Sequence, residues 1–176
     1  MTYLSGASQS WRWLSLDFTS FFDYPNLAAG ERPEEMVFLP DRSDDDWAKL
    51  LTFTETRRFR SGDVVIHLGE TDRALYLVTQ GSLDVLIPYR GNQSLRRLTT
   101  VDAGSVIGEQ AFLDGQPRSA TIRAVTHCEL LRLSFEAFEV LAAREPELAR
   151  AILFDLGRIL SIRLRRTSAL ISASGA

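Results

Sequence analysis

The stretch Ser61-Gly62-Asp63-Val64-Val65-Ile66-His67-Leu68-Gly69-Glu70-Thr71-Asp72-Arg73-Ala74-Leu75-Tyr76-Leu77-Val78-Thr79-Gln80-Gly81-Ser82-Leu83-Asp84-Val85 decides the fold. Its apolar residues come in short runs, and glycines punctuate them. From residue 52 the period is two, with strand-like runs near 53–60, 63–68, 74–80, 82–89, 95–101, 119–125 and 128–134. Gly62, Gly69, Gly81, Gly91-Asn92 and Gly104 separate the runs, and Gly91-Asn92 between two long ones predicts a hairpin tip. Short strands at nearly regular spacing predict an antiparallel sandwich or roll.

Inside this strand region lies a segment of another character, Gly108-Glu109-Gln110-Ala111-Phe112-Leu113-Asp114-Gly115-Gln116-Pro117-Arg118-Ser119-Ala120-Thr121. Gly108 permits close backbone approach where a side chain would block it. Glu109 to Phe112 has the composition of one helical turn, whose first amides are free to meet an anion. Arg118 can fork two N–H donors onto a phosphate, and Glu109 can accept from hydroxyls. The set suits a small ligand with one phosphate and a sugar-like hydroxyl. The plainer reading is a surface ion pair between Glu109 and Arg118, worth at most about 1 kcal/mol.

The segment resembles the phosphate-binding cassette of cyclic-nucleotide-binding domains. That pattern is Phe-Gly-Glu-x-Ala-Leu, a few loop residues, then Pro-Arg-(Ala or Ser)-Ala-(Thr or similar). Gly108, Glu109, Ala111, Pro117, Arg118, Ser119, Ala120 and Thr121 match it; Ile107 replaces the Phe and Phe112 the Leu. The glycine-punctuated strands are similar to the same family, in which such glycines sit at the turns of an eight-stranded β-roll. The resemblance covers about residues 45–166. It implies a mainly β fold, an antiparallel eight-stranded β-roll (jelly-roll-like) followed by two C-terminal helices. It also implies roles for the candidate ligand-binding residues Gly108, Glu109, Gln110, Ala111, Arg118 and Ser119. Arg118 is expected to neutralise a cyclic phosphate, with Ser119 and the amides around Ala111 adding hydrogen bonds. Glu109, helped by the backbone at Gly108, is expected to accept from the ribose 2′-hydroxyl. Aligning without gaps from Arg118 puts Ile159 where some channel-type members carry a base-capping arginine, with Arg158 and Arg163 beside it.

Outside the roll the reading is coarser. Residues 1–42 form an aromatic-rich extension and connector, 43–166 the ligand-binding domain and 167–176 a frayed tail. Trp11, Leu14, Phe18 and Phe21 lie on one helical face, which we read as packed on the protein's own body. A docking face for a partner is the alternative. Ser43 caps a short helix with acids at 44–46 in its first turn and Trp47, Leu50 and Leu51 on its apolar side. Ser134 caps a helix from Phe135 to Arg144, and Pro146 starts another. Leu148, Ile152, Leu156, Ile159 and Leu160 give the last helix an apolar stripe. Arg158, Arg163, Arg165 and Arg166 crowd its later turns and read chiefly as a solvated basic end.

Composition sets limits. At 176 residues the chain holds one domain plus an extension. A net charge of −3 argues against a nucleic-acid binder without a basic patch. No apolar run is long enough to span a bilayer and no signal peptide is visible, so a cytoplasmic protein is expected. Cys128 is the one cysteine, which fits a reducing compartment. Of the 20 basic residues only Lys49 is a lysine, a bias that hints at a GC-rich, bacterial genome. His67 and His127 have no ligand-like spacing to acids or to Cys128, and neither a nucleophile elbow nor a Walker-type loop occurs.

The expectation is therefore a binder, not an enzyme, with no metal and no cofactor. Its ligand is cAMP or cGMP, bound by a stand-alone regulatory module that signals by moving its C-terminal helices to a protein partner or within a homo-oligomer. Only 10 residues follow Arg166, too few for a helix-turn-helix, so sequence-specific DNA binding is not expected. The alternative is a β-roll that has lost ligand binding and serves as a structural or interaction domain.

Overall fold

The structure, a computed structural model, describes residues 37–89 and 92–174, with side chains for 37–88 and 95–165. The aromatic face at Trp11, Leu14, Phe18 and Phe21 lies outside the described residues. Helix α1 (Asp44–Leu51) leads into strands β1 (Glu55–Phe59), β2 (Val64–Ile66), β3 (Ala74–Gln80), β4 (Leu83–Tyr89), β5 (Asn92–Val101) and β6 (Val106–Ile107). A short helix α2 (Glu109–Asp114), strands β7 (Thr121–Ala124) and β8 (Cys128–Ser134), and helices α3 (Phe135–Arg144) and α4 (Pro146–Ser174) complete the order. Two antiparallel four-stranded sheets, β1-β8-β3-β6 and β2-β7-β4-β5, make the β-roll.

The continuous apolar run of β3 is explained by burial on both faces. Ala74, Tyr76 and Val78 join Ile66, Leu83, Ile107, Ile122, Cys128 and Leu130 in a cluster fed by both sheets. Leu75 and Leu77, on the opposite face, pack with Phe112, Leu133, Phe138, Leu141, Ile152, Leu156 and Ile159 beneath the helices. The glycines read as turns at Gly62, Gly69, Gly81 and Gly104 all have positive φ. Ser43 and Ser134 cap α1 and α3 through their side chains, as read.

Several boundaries differ from the sequence reading. β6 was not among the predicted runs; at two residues it is too short to show a period, and it exists because Val106 and Ile107 pair with Leu77 and Tyr76. Asn92 belongs to β5, paired with Tyr89, and not to the turn expected at Gly91-Asn92; residue 91 lies outside the described ones. Leu51 is exposed, leaving Leu50 as the buried anchor of α1. The frayed tail from Ser168 is corrected: α4 continues to Ser174, and the 166/167 boundary falls inside a helix. The connector also joins the core before residue 43, since Val37, Phe38 and Leu39 are buried and Phe38 meets Trp47 edge-on at 6.4 Å.

That connector is held by α4. Leu39 N–H donates to Asp155 Oδ2 at 2.7 Å, and Arg158 donates to Asp155 at 2.6 Å and to the Val37 carbonyl at 2.6 Å. Leu39 has φ 52°, a left-handed conformation that a leucine keeps only under such constraint. On its other side α4 exposes Leu153, Phe154 and Leu164. Asp155→Ala removes a buried charged acceptor from two donors and is expected to lower stability by roughly 2–4 kcal/mol, measured by urea unfolding.

Candidate functional site

Arg118 is the most deeply buried cation near the cassette, at 3% exposure. Three residues separate it from the end of α2, and its backbone is interlocked with the β2–β3 loop. Arg118 N–H donates to the Glu70 carbonyl at 2.8 Å and its own carbonyl accepts from Gly69 N–H at 2.9 Å. The guanidinium donates through Nη1 to the Gly108 carbonyl at 2.9 Å and through Nη2 to Asp72 Oδ2 at 3.1 Å. Its Nε is buried and donates to no protein acceptor. An unmet buried donor costs about 1–3 kcal/mol, more when charged, so this N–H marks a place for an acceptor.

Gly108 explains why only glycine serves there. Its φ is +77°, and a Cβ would run into Arg118 Nη1 and come within 2.9 Å of the Ala74 carbonyl oxygen. Glu109, next along, is 5% exposed. It does not pair with Arg118, as the plainer sequence reading had it. Arg163 reaches down from α4 to Glu109 Oε1 and donates to the Val106 carbonyl at 2.7 Å. Oε1 is the atom so engaged, which leaves Oε2 to accept from elsewhere.

Ser119 hydroxyl donates to the Gln110 side-chain oxygen, so these two face one another across the cassette. Ala111 is buried and Phe112 turns into the core, edge-on to Phe135 and Phe138 at 5.6 and 5.3 Å. The carbonyls of Phe112 and Leu113 near the end of α2 accept from Arg73 at 2.9 and 3.3 Å, while the Arg73 guanidinium lies 3.4 Å over the Phe135 ring. The six residues singled out from sequence thus lie on α2 with its N-cap and on the loop that leads into β7.

Two expectations about α4 are corrected. Ile159 is fully buried in the core under the helices, where it packs with Leu156 and Ile152. Arg158 and Arg163 are not a solvated end, since one clamps the connector and the other grips Glu109. Sequence reasoning missed Asp72, Arg73 and Arg132. Asp72 bridges Arg118 and Arg132, the latter at 2.8 Å. Partial burial works against the Arg132 charge, but Asp72 and Tyr76 outweigh it and hold its pKa above the ordinary arginine value. Only the Thr71-Asp72 position, just before a glycine-bounded strand, hinted at a loop residue near the site. Among the described residues no group of three or more His, Cys, Asp or Glu side chains is arranged to hold a metal ion, and no helix is long and apolar enough to cross a membrane.

The family model for the cyclic nucleotide-binding domain matches residues 56–145, from β1 through the cassette to the end of α3. The chain belongs to this family. Within the cyclic nucleotide-binding domain family it is 30% identical over 128 residues to the cAMP-activated global transcriptional regulator CRP of Salmonella typhimurium. That alignment covers 72% of this chain and 60% of the relative, so the chain spans under two thirds of the regulator's length. Among solved structures, a cyclic nucleotide-binding domain from Methylobacillus flagellatus superposes with a TM-score of 0.71 at 25% identity, covering 80% of this chain and 83% of that one. The Thermus thermophilus catabolite activator protein superposes with a TM-score of 0.68 at 27% identity, covering 78% and 62%.

Gly108→Ala is expected to destabilise the domain by at least ~2 kcal/mol, through the left-handed backbone and the collision with Arg118 and Ala74 together. Gly115 has a positive φ too, but a Cβ there meets nothing closer than the Arg73 guanidinium at 3.9 Å. Gly115→Ala should therefore cost only about 1–2 kcal/mol, and paired denaturation curves measure the difference.

Proposed function

We propose that this chain is a regulatory module that binds a 3′,5′-cyclic nucleotide, cAMP or cGMP, and does no chemistry on it. The observation that carries the reading is the buried Arg118 Nε with no protein acceptor. A cyclic phosphate brings one negative charge and oxygens that satisfy that donor, which a neutral ligand cannot do as well. Glu109 then accepts from the ribose 2′-hydroxyl through Oε2, and the Ser119 hydroxyl and Gln110 amide, now bonded to each other, are within the same cassette to share the phosphate oxygens. Family membership and the similarity to CRP, a cAMP-activated regulator, support the same ligand class.

Transmission follows from Arg163. It joins the ribose acceptor Glu109 to α4, and α4 also holds the connector through Asp155 and Arg158. A ligand that binds better to one setting of α4 shifts the helix toward it. The output then passes from the helix to a protein partner or a second copy, in a cytoplasmic setting. With Ile159 in the core, that position offers no polar base-capping contact, so discrimination between adenine and guanine is expected to be weak. A single neutral hydrogen bond from Ser119 contributes about 0.5–1.5 kcal/mol and sets at most a roughly tenfold preference.

A second reading has its own observation. Both charged cassette residues already have protein partners, Asp72 on Arg118 and Arg163 on Glu109, as in a roll that has lost its ligand. Calorimetric titration with cAMP and with cGMP separates the two readings, because the second requires no heat from either nucleotide.

In the binding reading, Arg118→Ala weakens cyclic-nucleotide affinity by about thirty-fold to a few thousand-fold, the roughly 2–5 kcal/mol of a broken buried charge contact. Unchanged affinity ends the assignment. The 2′-deoxy nucleotide binds the unaltered protein about ten- to a hundred-fold more weakly, from a charged hydrogen bond of about 1.5–3 kcal/mol. In Glu109→Ala the two nucleotides bind alike; a surviving deoxy penalty gives the 2′-hydroxyl another partner.

A further inference from the structure

Asp72 is shared. Its Oδ2 accepts from Arg118 Nη2 at 3.1 Å and its Oδ1 from Arg132 Nη2 at 2.8 Å. The three side chains differ in burial: Arg118 is 2% exposed, Arg132 21% and Asp72 41%. Arg132 breaks the pattern of its strand. The alternate positions Cys128 and Leu130 are fully buried apolar residues, and the next inward position carries a guanidinium. Cross-strand pairing sets Arg132 opposite Glu55 of β1 and Tyr76 of β3, so two neighbours fix its backbone. A groove of about 570 Å³ opens beside it, lined by Arg57, Phe59, Asp72, Tyr76 and Arg132 among others. The carboxylate of Asp72 therefore has room to lean toward Arg132 without repacking the core.

We infer that Arg132 is a positioning residue for phosphate recognition: by holding Asp72 it limits how far that carboxylate cancels the charge of Arg118, and so raises affinity for the ligand's phosphate. The inference rests on the cyclic-nucleotide reading above. An anion arriving at Arg118 meets a guanidinium already paired with a carboxylate at close range. With Arg132 present, two cations share the one carboxylate, and the trio carries a net positive charge. Without Arg132 the remaining pair is neutral, and the phosphate must compete for Arg118 against an undivided Asp72. Glu55 lies 4.0 Å from Arg132 but is itself paired with Arg57 and is more than half exposed. Solvent screens that outer pair more than the inner one.

The test is a double-mutant cycle read by calorimetric titration with cAMP, using Arg132→Met, which keeps an apolar stem, and Asp72→Asn. The expected result is a three- to tenfold loss of affinity in Arg132→Met, and less than a twofold further change when the same substitution is made in Asp72→Asn. Arg132→Lys keeps the charge and is expected to stay within twofold of the unaltered protein. Equal affinity of Arg132→Met and the unaltered protein overturns the inference while leaving the cassette assignment standing. So does an Arg132→Met penalty that persists undiminished in Asp72→Asn, because a purely structural role does not depend on the carboxylate. Absence of cAMP binding in the unaltered protein overturns both readings together.

Discussion

A guanidinium removed from water must be met by acceptors, and the cassette end of the protein is built around satisfying Arg118. The Gly108 carbonyl takes one of its nitrogens and Asp72 another, which ties three separate chain segments to one charge. Backbone pairing of Arg118 with Glu70 and Gly69 then keeps the β2–β3 loop and the start of β7 in fixed relation. Gly108 is a glycine because the arginine needs the volume that a Cβ would take. The Arg118 Nε is buried without a protein acceptor. Burying this one charge thus fixes the relative placement of the cassette, the β2–β3 loop and the start of β7.

Helix α4 answers to two such polar ties and one apolar one. Its stripe of Leu148, Ile152, Leu156 and Ile159 is sealed under the β1-β8-β3-β6 sheet, which is the larger share of its stabilisation. Asp155 and Arg158 fasten the connector to it, and Arg163 fastens it to Glu109. The apolar contact holds the helix on the roll. The polar ties decide which parts of the chain must respond if it shifts. A change at the cassette therefore has a direct route, through one ion pair, to a helix that also carries the connector.

Sheet β1-β8-β3-β6 is the partition between two apolar clusters, and this explains the unequal strand patterns. β3 is buried on both faces and reads as a continuous apolar run, while β1, an edge strand, is largely exposed. The same position on β8 that would extend the inner cluster carries Arg132 instead, at the mouth where Asp72 lies. Cys128, deeper in, packs as a small apolar residue.

The sequence by itself determined the turns, the caps and the cassette. Glycines at 62, 69, 81, 104 and 108 were legible because a positive φ is a local demand that few other residues meet. Ser43 and Ser134 were legible because a cap is closed within three residues of itself. Arg118, Glu109 and Ser119 were legible because their spacing lies along one short segment. Tertiary structure alone decided the partners of the charges. Asp72 meets Arg118 across 46 residues and Arg163 meets Glu109 across 54. No periodicity reports on such distances, because the strands and helices between them carry the chain there and back. For the same reason β6, a two-residue strand paired to β3, and the continuation of α4 past Arg166 were invisible in the linear pattern. What is local can be read from neighbours, and what is a contact between distant segments exists only once the roll has closed.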